Sequence, residues 1–363
     1  MSKSPGAMPD LAIPPSQNVV DVSVIDSTAN VQVDLGFFVK DPMPDHGTRQ
    51  CPSYVFLIEN NAGKKAVFDL GLRPDTESFP PIIRKGVNQL SMHAEKNIAT
   101  ILQEDGRVGL YEIGSIILSH WHPDHIGDPS TFPSTTELVV GPGFRNAFLP
   151  GYPTDPTGLI LESDYTGRQL REINFETGLR IGQFRAMDFF SDGSFYLLDS
   201  PGHAVGHMCA LARTTPSTFI FIGSDSCHHC GALRPNKYLP LPELISPSPF
   251  SNPPHLQGTV CPGALVEVIH PKRSRSEPFY SRLEHAEGRD VTEAEATISK
   301  MFSFDASEDV FVMIAHDKSL PGVIEFFPKK ANEWKEKGWK EASRWRFLED
   351  FRLSAVNVST PSE

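Results

Sequence analysis

The hexapeptide His120, Trp121, His122, Pro123, Asp124, His125 limits what this chain can fold into more than any other segment. Three imidazoles and a carboxylate within six residues are too costly to bury for packing alone, because each needs a hydrogen-bond partner or an ion. The apolar run in EIGSIILSH precedes them and reads as a buried strand, so the group stands where a strand empties into a loop. From that extended exit His120 and His122 can point the same way, while Asp124 and His125 follow after the chain turns at Pro123. Two nitrogens on one side, with a carboxylate and a nitrogen on the other, suit two neighbouring divalent cations. A fold that uses them must carry further donors to the same strand end.

The chain offers such donors. SFYLLDS empties into SPGHAVGH, FIFIGSD ends in Asp225, and the apolar run of DVFVMIAHD ends in His316. His203 can complete three nitrogens with His120 and His122, Asp225 can bridge both cations, and His316 can complete the second set with Asp124 and His125. His207 stands as a substitute for His203.

Upstream, VVDVSVIDS, VQVDLGFFV, SYVFLIEN and KKAVFDLG read as strands bounded by Gly, Asn or Asp, with Gly63 in the hairpin between the last two. A helix capped by Ser91 is expected through Ile98, Ile101 and Leu102, ending near Gly106. IGQFRAMDFF pairs with SFYLLDS across SDGS, and DVTEAEATISKMF has helical spacing through Ala294, Ile298 and Met301. The last segment reads as a helix from about Lys335, weakened at Gly338, with Trp339, Trp345 and Leu348 packed on the body of the fold. Residues 1–18 read as an irregular leader, 19–353 as one domain and 354–363 as a tail. Within that domain, 129–170 and 234–262 are aromatic and proline-rich insertions expected to roof a ligand cavity. Alternating strand groups and helices suit two similar halves packed face to face.

With 33 Lys and Arg against 45 Asp and Glu, the formal charge of -12 disfavours nucleic acid and anionic membrane surfaces. A small, neutral and partly apolar molecule is the expected partner. Five cysteines in 363 residues are too sparse for a disulfide framework and suit a reducing compartment. The proline-rich start has no basic leader followed by an apolar run, and no segment reaches the roughly 18 consecutive apolar residues of a membrane helix. A cytoplasmic location is therefore expected.

The pattern His-x-His-x-Asp-His at 120–125, with Pro201, Gly202 and His203, then Asp225 and His316, resembles the metallo-beta-lactamase superfamily over residues 20–320. The resemblance implies an α/β fold, the four-layer αβ/βα sandwich, with a binuclear centre at one edge of its two sheets. It implies two divalent metal ions, Zn2+ first, with manganese, iron or cobalt as alternatives. It favours His203 over His207 as a ligand and gives Asp69 in VFDLG a structural role beneath the centre. The second-ion residues resemble those of two-metal hydrolases, among them acyl-homoserine lactonases, glyoxalase II and phosphodiester-cleaving members. Where the quorum-type lactonases carry a tyrosine after the bridging aspartate, this chain has His228, expected to donate a hydrogen bond or a proton near the substrate carbonyl.

The reaction expected on these grounds is metal-dependent opening of a small apolar lactone or lactam by a bridging hydroxide, with Asp124 and His228 as the catalytic side chains. Fungal lactamases that detoxify benzoxazolinone-type compounds are one family neighbour. A thioesterase of the glyoxalase II type needs a cationic mouth that the sequence does not place. A small-molecule phosphodiesterase is an alternative with the same ions, and a non-enzymatic metal-binding protein would be expected to lack some ligands. Cys227 and Cys230 read as pocket lining rather than a separate metal or redox site. His46, His93, His255, His270 and His285 have no comparable grouping; His46 and His255 are the two that could face a cavity. Monomer and homodimer both stay open.

Overall fold

Period-two alternation decides the layering. The computed structural model describes residues 6–43, 48–250 and 260–359. In β1 (Val20–Asp26), Val20, Val22 and Val24 share one core with Tyr54, Phe56 and Ile58 of β2 (Tyr54–Asn60), while Ile25, Val55 and Leu57 enter another. The two strands pair antiparallel, from Val20 opposite Asn60 to Asp26 opposite Tyr54. Next come β3 (Lys65–Phe68), β4 (Ile113–Ile117), β5 (Glu137–Val140) and β6 (Leu170–Glu172). The six strands lie side by side in chain order, and from β3 onward neighbours run parallel.

The second sheet repeats this economy of order. It contains β7 (Arg180–Ile181), β8 (Phe184–Asp188), β9 (Phe195–Asp199), β10 (Met208–Arg213) and β11 (Phe219–Ile222), paired antiparallel, and β12 (Val310–Met313), parallel to β11. Phe195, Leu197, Met208, Ala210, Ile220 and Ile222 join the core of Val22 and Phe56, so the sheets pack face to face. Tyr196, Leu198, Leu211 and Phe221 turn to the opposite side. There α4 (Val291–Ala306) covers them with Ala294, Ile298, Met301 and Phe304. The outer side of the first sheet is covered by α1 (Pro81–Gln89) and α2 (Ile98–Asp105), through Val87, Ile98 and Leu102. A single turn, α3 (Pro123–Ile126), follows β4. The layers run helix, sheet, sheet, helix, the αβ/βα sandwich that the resemblance implied. Each fully buried Phe or Ile contributes about 1.5–3 kcal/mol, which fixes the strand ends against the cost of burying polar groups at the rim.

Several local expectations need correction. Ser91 caps no helix: it occupies a left-handed turn at φ 47°, and α2 starts after Asn97. The stretch before α2 is instead held as a strand-like bridge, with Asn30 N–H donating to His93 O at 2.8 Å and His93 N–H returning to Asn30 O at 3.1 Å. Gly106 does end α2, left-handed at φ 76°. VQVDLGFFV is a strand only over Val31–Asp34, paired with Thr48–Cys51, before it tightens into a 3-10 turn at Leu35–Phe37. Gly338, at φ 64°, divides the last segment, leaving short helices at Trp339–Ser343 and Arg352–Ser359 around a 3-10 turn. Trp339, Trp345 and Leu348 are buried as expected. The leader has no regular structure over its described part, yet Gly182 N–H donates to Leu11 O at 2.6 Å, pinning it to the second half. Among the described residues no helix is long and apolar enough to cross a membrane.

Gly202 shows how packing positions the loop that carries His203. Its φ of 118° is a backbone conformation that L side chains rarely adopt, and a Cβ there would lie 2.1 Å from Ala294 N in the first turn of α4. Gly202→Ala should therefore lose about 3 kcal/mol of stability by thermal or denaturant unfolding. Unchanged stability would show that the loop and helix separate freely.

Candidate metal centre

Each candidate donor stands just beyond a strand. His120 and His122 leave β4 in extended backbone, and His122 then accepts the first α3 hydrogen bonds, from His125 N–H and Ile126 N–H at 3.0 Å. Pro123 is pre-set for that first turn, and the turn swings Asp124 and His125 away from the preceding pair. His203 follows β9, Asp225 follows β11 and His316 follows β12. All are buried except His122, which is partly so.

The atoms converge in two sets. His120 Nε2 and His122 Nδ1 are 2.9 Å apart, and His203 Nε2 lies 3.2 and 3.0 Å from them. These are the edges expected of nitrogens surrounding one ion at about 2.0–2.1 Å. Asp225 Oδ2 is 3.7 Å from His120 Nε2 and 3.4 Å from His203 Nε2. Its other oxygen, Oδ1, is 3.1 Å from both His125 Nε2 and His316 Nε2. Asp124 Oδ2 completes this second set at 3.9 and 3.6 Å from the same nitrogens. His125 Nε2 and Asp225 Oδ1 are buried with no hydrogen-bond partner. A divalent ion in each set would satisfy them, so the donors present fit the group.

A profile of the metallo-beta-lactamase superfamily matches residues 48–209. Gamma-lactamase FDB1 of Fusarium pseudograminearum is 44% identical over 359 residues, spanning 94% of this chain and 85% of that protein. The chain belongs to the metallo-beta-lactamase superfamily. Metallo-hydrolase mfmC of Annulohypoxylon moriforme is 43% identical, over 96% of this chain and 92% of that one. A solved quorum-quenching N-acyl homoserine lactone lactonase superposes with a TM-score of 0.56 at 16% identity, covering 87% of this chain and 99% of that structure. That likeness concerns the fold. Asp69, which the superfamily resemblance set beneath the centre, is there: Oδ2 lies 2.8 Å from His125 Nδ1, and Oδ1 accepts Ser119 N–H at 2.7 Å.

The surrounding polar groups fix which ring nitrogen faces inward. His316 Nδ1 donates to Pro52 O at 2.6 Å, leaving Nε2 for the centre. Ser119 Oγ bridges Asp69 Oδ2 and His120 Nδ1 at 2.8 and 3.0 Å, and Ser224 Oγ donates to it at 2.6 Å. Burial pushes His120 and His203 well below the usual histidine range and His122 down to about 3, so these rings keep free lone pairs. Burial also acts to lower His125, but the carboxylates of Asp225, Asp69 and Asp124 outweigh it and raise the group.

The remaining histidines and cysteines separate clearly. His207 lies behind the donors, with Nδ1 donating to Ser200 O at 2.8 Å and Nε2 accepting Asp225 N–H at 3.3 Å. His228 Nε2 is 3.0 Å from Asp225 Oδ2, and its ring is stacked on Phe38 at 3.6 Å. Cys227 and Cys230 are unpaired and buried, and burial raises both thiols, which argues against a thiolate site. Neither lines the central cavity. His46 and His255 lie outside the described residues.

The donors open onto a cavity of 270 Å³ whose walls differ from those expected. Its apolar side comes from Val31, Leu35, Phe38, Ile83, Val87 and Leu90, on the 31–38 segment and α1. The 129–170 insertion does not roof it. Phe132, Phe144 and Phe148 are instead buried in the outer core of the first sheet, because the nearest unfilled apolar surface was there. In the other insertion Pro247 and Phe250 line a neighbouring cavity that also touches His228 and His316. Phe38 and Arg289, both cavity-lining, escaped the sequence reading: neither sits in a motif, and their segments meet through tertiary contacts such as the bridge between Val39 and Leu283.

Two substitutions test the arrangement. Asp225→Ala should remove most of both ions when metal content is measured by mass spectrometry, whereas retention of two would contradict a shared carboxylate. Asp69→Asn should weaken the ion beside His125 about 10–100-fold in chelator competition; an unchanged constant would show that Asp69 does not orient that ring.

Proposed function

We propose that this chain opens a small, partly apolar lactam or lactone by metal-dependent hydrolysis. His120, His122 and His203 would hold one divalent ion, Asp124, His125 and His316 the other, and Asp225 both, with zinc as the preferred metal. The observation that carries the reading is the pair of donor sets meeting on Asp225 at the floor of a mostly apolar cavity. A gamma-lactamase at 44% identity favours a cyclic amide, and so carbonyl chemistry over phosphodiester cleavage, while a metallo-hydrolase at 43% agrees with metal-dependent hydrolysis. A reducing, cytoplasmic setting agrees with five free, buried cysteines.

When bound, the ion pair supplies a polarised carbonyl and an acidified water. The chain's own groups do the rest. Asp124 accepts the proton that the water releases and passes it to the atom leaving the ring. Burial pushes His228 down to about 4, so the ring is neutral at pH 7 and carries one N–H, on the Nε2 that faces Asp225 Oδ2 at 3.0 Å. With Asp225 engaged by the ions, that N–H would be released to the carbonyl oxygen as negative charge develops there. Phe38, lying flat on His228, fixes the plane of the ring, and the aliphatic wall of α1 excludes water from the reacting bond.

A panel of aryl lactams, aliphatic lactones, beta-lactams, thioesters and phosphodiesters, offered to the zinc-loaded protein, decides the reaction class. Lactams or lactones should dominate; phosphodiester turnover without carbonyl hydrolysis would end this reading. His228→Phe should lower kcat about 100-fold while leaving two ions in place. Full turnover in that variant would remove His228 from the chemistry.

A further inference from the structure

Two guanidinium groups line the cavity beside the candidate ligands, and they are not equivalent. Arg49 is ion-paired with Asp350. Among the described residues Arg289 has no directly ion-paired carboxylate and its Nε and Nη2 make no hydrogen bond, while Nη1 donates to the backbone oxygens of Glu284 at 2.9 Å and Phe37 at 3.3 Å. Its central carbon lies 5.7 Å from the centre of the Phe38 ring, whose face is stacked on His228. The cation thus stands at the outer end of a stack that leads inward to Asp225. The wall around it is aliphatic, from Leu35, Ile83 and Val87. A half-buried guanidinium against such a wall is offset only at a distance, by Glu284 and by an Asp225 that already faces two sets of imidazoles.

We infer that Arg289 is a specificity-determining residue that receives an acidic group, a carboxylate, carried on the apolar body of the cyclic substrate. Nε and Nη2 form the planar fork that matches two carboxylate oxygens. The apolar body then lies along Phe38 and the α1 wall, which turns its ring carbonyl toward the donor sets. Local charge here overrides the negative average of the chain, so the neutral partner expected from composition becomes an anionic one. This inference rests on the hydrolase reading above and narrows its substrate class.

The test uses the zinc-loaded full chain and two aryl-fused lactams that differ only in a carboxylate and its methyl ester. The acid should be preferred at least tenfold in kcat/KM. Arg289→Gln should raise KM for the acid about tenfold while leaving kcat and both constants for the ester unchanged, and Arg289→Lys should recover part of the preference. An equal loss for acid and ester would make Arg289 a clamp on the Phe37 and Glu284 backbone and overturn the inference, as would no change in either. Calorimetric binding of the same two compounds separates this question from the reaction. Selective binding of the acid that vanishes in Arg289→Gln supports the inference even where neither ring opens, a result that would sink only the lactam reading.

Discussion

One buried carboxylate lies between two groups of imidazoles, and much of the molecule serves to hold it there. Asp225 directs Oδ2 toward His120 and His203 and Oδ1 toward His125 and His316. Three nitrogen lone pairs converge within 2.9–3.2 Å beside it. Leaving a buried polar atom unsatisfied costs about 1–3 kcal/mol, and His125 Nε2 and Asp225 Oδ1 are both in that state. Such a cluster keeps its shape only where the scaffold determines every ring independently of its occupant.

The sandwich does this through its strand ends. β4, β9, β11 and β12 are largely buried, and their exits cannot shift separately without opening close-packed cores. Hydrogen bonds then set the rings: Asp69 on His125, Pro52 O on His316 and Ser119 on His120. Asp69 and Ser224 both adopt left-handed backbone, at φ 64° and 42°, directly beside this cluster. Strain of that kind persists where surrounding structure enforces it. The hydrophobic effect, which is non-directional, is thereby converted into fixed donor positions.

Recognition has a different origin. The cavity wall comes from the segment around Phe38, from α1 and from Arg289, all outside the two sheets. Glu284 N–H donates to Phe38 O, and Lys40 N–H donates to Arg282 O, both at 3.0 Å, stitching the two distant loops into one wall. Candidate ligands held at strand ends and a cavity wall built from connecting segments divide the site between a rigid scaffold and variable loops.

The layered fold and the candidate donors were legible because both are written locally. Alternation in VVDVSVIDS and the continuous apolar run in SYVFLIEN mark strands, and His120, His122, Asp124 and His125 declare their chemistry within one turn of chain. His203, Asp225 and His316 were readable as strand-end donors, although spacing alone does not say which oxygen of Asp225 faces which imidazole. Other features depended on contacts between segments remote in sequence. Ser91 had the residue type of a helix cap, but the pairing of His93 with Asn30 held that stretch extended. The phenylalanines of 129–170 had the composition of a cavity roof, but burial against the first sheet claimed them. The sequence by itself determined the layered fold class and which residues are candidate donors, since periodicity and residue chemistry are local properties. Only the tertiary structure decided the walls of the cavity and the exposure of Arg289 to it, because those depend on which distant surfaces win the competition for burial.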